Sequence, residues 1–210
     1  MDDVPRPLGG VKQRAVLAIL ILHRGEIVSG ERLADELWGA RPPATAAKTL
    51  QGYVSRLRKA LGDDLVQTRG RGYVLTVPAD QLDVERFEQL ASSGRAALSA
   101  GDAATAAERL HGALAVWRGA PLADFTYEPF AQAEIARLEE ARLATLEDRI
   151  EADLELGRHA QLVAELESLV REHPLRERMR GQPMRFCFER NGALAKQLLV
   201  VGRETARPVS

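Results

Sequence analysis

The sequence predicts a mainly α-helical chain in two parts, with three helices closed by a short β-hairpin and then a run of further helices. Three observations carry this. Ala and Leu are abundant while aromatic residues make up 5% of the 210 residues, a bias toward helix over strand. Apolar residues recur at helical spacing along most of the chain, interrupted at Gly and Pro. One segment, LVQTRGRGYVLTV at 65–77, has β-prone ends around a tight turn, Arg69-Gly70-Arg71-Gly72.

Residues 11–23, VKQRAVLAILILH, are apolar over most of the wheel and predict a buried helix that stops near Gly25. Ser29 predicts the N-cap of a second helix, containing Arg32, Leu33, Leu37 and Trp38 and ended by Gly39. Arg41-Pro42-Pro43 forces a turn, because Pro43 cannot continue a helix and restricts Pro42 before it. A third helix is expected from about Ala44 to Leu61, with Leu50, Val54, Leu57 and Leu61 on one face and Tyr53 beside them. Across the wheel lie Thr45, Lys48, Gly52, Ser55, Arg56 and Lys59, flanked by Gln51 and Arg58; Gly62-Asp63-Asp64 breaks the helix. Three helices followed by a basic hairpin is the winged helix-turn-helix pattern, placed at residues 1–78.

Pro78-Ala79-Asp80 marks the boundary. Beyond it, helices are expected at 83–100, 102–118, 129–156 and 158–172, with breaks at Gly101, at 119–127, at Gly157 and at Pro174. GDAATAAERLHGALAVWRG and LGRHAQLVAELESLVREHP are weakly alike: Gly at a turn, a small residue, then an amphipathic helix. That predicts a tetratricopeptide-like α-helical domain over 81–182, followed by a divergent tail at 183–210. Glu134, Glu139, Glu140, Glu147, Asp148 and Glu151 alternate with arginines and are expected on a solvated face carrying i,i+4 pairs.

The formal charge of −1 conceals an asymmetry. Residues 1–80 hold twelve Lys and Arg against nine Asp and Glu, a net of +3, and residues 41–72 alone reach +5. A positive field that attracts polyanions therefore sits in the first third. Cys187 is the single cysteine, which excludes an internal disulfide framework and points to a cytoplasmic setting. Met1-Asp2-Asp3 is acidic where a signal peptide is basic, and the longest apolar run, Ala15 to Leu22, is too short to span a bilayer. His23, His111, His159 and His173 are scattered without zinc-site spacing, and no GxxxxGK[ST] loop is present. No metal, cofactor or membrane partner is expected, and no nucleophile–base pair suggests an enzyme.

A helix with one apolar and one donor-rich face suits a DNA groove. Lys and Arg pair with phosphates and guanine edges, and Gln reads adenine. Gly52 has no side chain to keep the backbone away from the groove. Arg69 and Arg71 fit a wing that reaches a minor groove. Each feature alone also reads as a solvated basic surface; their order along the chain favours double-stranded DNA. Trp38 and Trp117, each near a helix end beside Gly, read as core or capping contacts. Tyr73 reads as packing the wing onto the third helix, and Gly70 and Gly72 as meeting the needs of the turn.

VSGERLADELWG, PPATAAKTLQGYVSRLRKALG and RGRGYVL resemble the DNA-binding domain of the Streptomyces antibiotic regulatory protein family. The segment DVERFEQLASSGRAALSAGDAATAAERLHGALAVWRGAPLADF is similar to the bacterial transcriptional activation domain that follows it there. By that resemblance Lys48, Thr49, Gln51, Gly52, Ser55, Arg56 and Arg58 fall where the family meets DNA; Lys59, Arg69 and Arg71 join them from the helix and wing. The resemblance also implies homodimers on direct repeats, contact with RNA polymerase subunits, and activation of a biosynthetic gene cluster. Only about ten residues precede Val11, where the family has a small antiparallel sheet, and the likeness fades after Met184. The first helix is therefore expected to lack cover on one side unless residues 1–10 or the 129–156 helix supply it. A second reading, a truncated helical-repeat interaction protein acting as a decoy or partner-binding module, stays open on the sequence.

Overall fold

The computed structural model describes residues 8–78, 81–158, 162 and 165. They belong to two compact units, one drawing on Met1–Leu82 and Gly119–Glu139, the other on Asp83–Arg118 and Glu140–Ser210.

The first unit begins with α1 (Val11–Leu22), β1 (Val28–Ser29), α2 (Gly30–Trp38) and α3 (Ala46–Leu61), followed by β2 (Val66–Arg69) and β3 (Gly72–Leu75). Ser29 caps α2 as its chemistry predicts: its Oγ accepts from the Arg32 N–H at 3.0 Å. The last carbonyls of α2 would otherwise lack partners, and Lys12 donates to one of them, that of Leu37, at 2.6 Å. The same ammonium sits 5.5 Å from the Trp38 ring centroid, a cation–π contact at the half-buried ring. α3 starts two residues later than the sequence suggests. Pro43 cannot continue a helix, and its carbonyl closes a turn with the Ala46 N–H at 2.8 Å, which uses Ala44 and Thr45 in the turn.

The sheet order is β1-β3-β2, antiparallel throughout, with Val28 opposite Tyr73 and Arg69 opposite Gly72. β1 was not expected from the sequence, because two residues are too few to show a period-2 pattern. The core joins Val16, Ile19 and Leu20 of α1 to Val28, Leu33, Leu37, Leu50, Val54, Leu57, Val66 and Leu75. Phe125 and Ala131 are buried in this same cluster, with Leu122, Phe130 and Ile135 packed against it. They come from a single 3-10 turn (Ala123–Phe125), from Leu122 just before it, and from the first turns of α6 (Pro129–Glu155). Arg14 of α1 pairs with Asp124 at 3.0 Å. The cover that α1 needs thus includes residues of 119–139.

The second unit opens on a helical hairpin, α4 (Asp83–Ser99) and α5 (Ala103–Ala115), turned at Gly101 with φ +79°. Asp102 caps α5 by accepting from the Thr105 N–H at 3.0 Å. Hydrogen bonds from the Thr105 side chain and then its backbone hold the Asp102 carboxyl below its ordinary pKa. Gly94 permits the close approach: a Cβ there would lie 2.6 Å from Leu110 Cγ. Trp117 meets Phe87 edge-on, centroids 5.3 Å apart, as an aromatic core contact.

The acidic row on α6 departs from expectation. Glu134 does pair with Arg137 at i,i+3, but Glu147 and Asp148 are buried, as are Arg149 and Asp153. Asp148 accepts from Arg95 at 3.0 Å, and Asp153 meets Arg149, Arg158 and His111. Asp148 and Asp153 go inside here because each finds arginine donors, which offsets the desolvation that an unpaired carboxylate would suffer. The expected 158–172 helix, the second repeat-like segment, Cys187 and the 183–210 tail lie outside the described residues, apart from Arg158, Leu162 and Glu165.

If Phe125 completes the first core, Phe125→Ala removes a side chain that is 6% exposed. The expected loss of stability is about 3–5 kcal/mol. Urea unfolding followed by circular dichroism measures it, and a loss below about 1 kcal/mol means that the segment adds little to the core.

Candidate nucleic-acid interface

Leu50, Val54 and Leu57 pin one side of α3 in the core at 2%, 1% and 0% exposure. Helical geometry then decides what the other side presents. Lys48, Gln51, Ser55 and Lys59, spaced three, four and four residues apart, form an exposed stripe with Gly52 half-buried within it. Thr49 is half-buried at the stripe's margin. The stripe carries donors and cations and no carboxylate. Arg58 and Lys59 occupy the last turn, where positive charge also suits the helix dipole.

The two flanking arginines are held by the protein itself. Arg56 donates through Nε to Gln13 Oε1 of α1 at 2.6 Å, and its guanidinium stands 5.2 Å from the Tyr53 ring centroid. Gln13 is buried although it lies between Lys12 and Arg14, and its amide packs so closely on Gly9 that a Cβ there would lie 2.8 Å away. On the other flank Arg58 donates to the Val66 carbonyl at 2.7 Å and to Thr68 Oγ1 at 2.8 Å. Sequence reasoning did not single out Gln13 or Thr68. Neither carries a signal in the sequence: Gln13 stands between Lys12 and Arg14 and reads as polar surface, and Thr is ordinary in a strand.

The wing is a two-residue hairpin. Gly70 takes φ +56° while Arg71 keeps a negative φ, the pattern of a type II′ turn, whose first central residue is glycine. Arg69 and Arg71 are exposed at its tip, and Arg69 donates to Gln67 Oε1 at 2.9 Å. The Arg71 carbonyl accepts from the Gly30 N–H at 3.1 Å, which ties the tip's backbone to the start of α2. Tyr73 lies half-buried against the core. All ten residues singled out from the sequence (Lys48, Thr49, Gln51, Gly52, Ser55, Arg56, Arg58, Lys59, Arg69 and Arg71) therefore lie in one unit, on α3 or at the wing tip. Among the described residues no group of three His, Cys, Asp or Glu is placed to hold a metal ion, and no helix is long and apolar enough to cross a membrane.

Comparison with known proteins bears on this arrangement. The family described as "Transcriptional regulatory protein, C terminal" matches residues 9–75, and the "Bacterial transcriptional activator domain" matches residues 82–198. Regulatory protein DnrI of Streptomyces peucetius is 40% identical over 198 residues, covering 89% of this chain and 72% of DnrI. Regulatory protein AfsR of Streptomyces coelicolor is 41% identical over 193 residues, covering 91% of this chain but 19% of AfsR. The solved structure of Mycobacterium tuberculosis EmbR in complex with a low affinity phosphopeptide matches with a TM-score of 0.86 at 29% identity, over 100% of this chain and 63% of that one. The chain thus spans most of one relative and a much smaller share of another.

Gly72 tests the wing's attachment. It is buried opposite Ser29 of β1, and a Cβ there would lie 2.5 Å from the Val28 carbonyl oxygen, a backbone atom with little room to yield. Gly72→Ala should lower unfolding stability by about 1–3 kcal/mol, read by thermal denaturation. Wild-type stability would mean that the β1–β3 approach is looser than the structure has it.

Proposed function

The chain belongs to the Streptomyces antibiotic regulatory protein family of DNA-binding transcriptional regulators, and from that premise we propose that α3 enters the major groove while the wing reaches the adjacent minor groove. The observation that carries this reading is the α3 stripe: Lys48, Gln51, Ser55 and Lys59 are presented together because the opposite side is locked in the core. In this reading Lys48 and Lys59 pair with phosphates, Gln51 and Ser55 meet base edges, and Gly52 lets the backbone approach. Thr49 supports the stripe's margin. Arg56 exchanges Gln13 for a base edge, Arg58 flanks the wing side, and Arg69 and Arg71 enter the narrow groove.

We extend the proposal to activation of a biosynthetic gene cluster, with two protomers on direct repeats and contact to RNA polymerase subunits, as the family implies. A cytoplasmic setting and a non-enzymatic role complete it. The decoy reading is not favoured: the match over residues 9–75 covers the α3 and wing elements that DNA binding needs.

Salt dependence tests the interface as a whole. About five cationic side chains at the DNA surface, Lys48, Arg56, Lys59, Arg69 and Arg71, each displacing counterions, predict a slope of log K against log salt near −5 per protomer. A slope shallower than about −2 in a promoter-fragment mobility shift is incompatible with it. Arg56→Ala and Lys59→Ala test the assignment residue by residue. Losing Lys59 should weaken binding to cognate and random duplex alike, whereas losing Arg56 should erase about 1–3 kcal/mol of discrimination. Equal losses on both duplexes for both variants would remove Arg56 from the reading set.

A further inference from the structure

Arg58 differs from the other basic residues of the interface in where its donors go. Nε and Nη2 are both committed to β2, to the Val66 carbonyl and the Thr68 hydroxyl. Among the described residues β2 is an edge strand, paired only with β3. An edge strand leaves outward backbone groups unmatched, and the guanidinium supplies a donor to one of them. At its root, Arg58 stands beside Leu57, which is fully buried, so the fork is anchored on a fixed helix turn. At its far end it grips the strand that runs directly into Arg69 and the Gly70-Arg71 turn. Arg58 is therefore a strut between the exposed stripe of α3 and the basic tip of the wing.

We infer that Arg58 is a positioning residue: it holds β2 against α3 so that Arg69 and Arg71 meet one groove while the stripe occupies the next, and it makes no DNA contact itself. The inference rests on the reading in which α3 and the wing bind DNA together. The fork matters more than the charge. Lys keeps the positive charge but offers a single compact ammonium on a flexible stem, which cannot hold the carbonyl and the hydroxyl in one fixed plane.

That difference supplies the test. The probe is a duplex enriched by the wild-type chain from a random-sequence pool, titrated at several salt concentrations. Arg58→Lys should weaken binding on the order of tenfold, as when a charge-assisted hydrogen bond is lost. It should also make the salt slope shallower by roughly one to two, because misplaced wing arginines release fewer counterions. A direct phosphate contact would instead survive in the Lys variant, with the slope unchanged. Arg71→Ala completes the cycle: combined with Arg58→Lys, it should bind within about twofold of the weaker single variant, the mark of two changes acting through one element. Thr68→Val removes one arm of the strut without altering charge and preserves a β-branched strand residue, so it should shift affinity the same way should Arg58→Lys fail to fold. Wild-type affinity for Arg58→Lys, an additive cycle, or wild-type affinity for Thr68→Val overturns the inference while leaving DNA binding intact. A wild-type chain that enriches no duplex overturns the DNA reading and this inference with it.

Discussion

The burial of Leu50, Val54 and Leu57 against α1 and α2 is the constraint on which the rest of the first unit depends. A helix has one face to give to its core, and once these residues are inside, rotation about the axis is no longer free. Every exposed position on α3 is then assigned by geometry, including the cation-and-amide stripe. The same core receives Val66 and Leu75 from the hairpin, so the wing is set against the same apolar surface that orients the helix. Hydrophobic burial supplies the driving force, and it does so without direction; the polar contacts around the rim supply the direction.

Those polar contacts are few and placed at joints. Ser29 starts α2, Lys12 closes its end, the Arg71 carbonyl takes the Gly30 N–H, and Arg58 reaches from α3 to β2. Each meets a backbone group that secondary structure leaves unpaired, where an unmade hydrogen bond is most expensive. Arg56 and Gln13 form a different kind of joint, side chain to side chain, with the amide buried and the arginine exposed. A guanidinium held in that way starts from a defined rotamer, which reduces the entropy lost when it engages another acceptor.

The second unit solves its packing with small residues and paired charges. Ala106, Ala107 and Ala152 surround Leu110, and Gly94 allows α4 and α5 to approach closely. Asp148 and Asp153 sit inside with arginine and histidine donors around them. Small apolar residues bring backbones together but bury little area each, and charged pairs set register at some cost in desolvation.

The sequence by itself determined the three helices and the hairpin that open the first unit, and the residues of the stripe. The 3.6-residue period is strong over α3, Ser29 and Gly39 bracket α2, and Gly70 between β-prone runs marks the hairpin. These are local signals, each read within a few residues. Family membership was legible for the same reason, since its motifs lie in contiguous segments. Tertiary structure alone decided three things. It paired β1 with β3, because two residues carry no periodicity until Gly72 lets the backbones approach. It brought Phe125 and Ala131 into the core around α1, contacts more than a hundred residues apart that no local pattern announces. It also placed Glu147 and Asp148 inside, because whether a carboxylate is solvated depends on partners such as Arg95 that sequence spacing does not reveal.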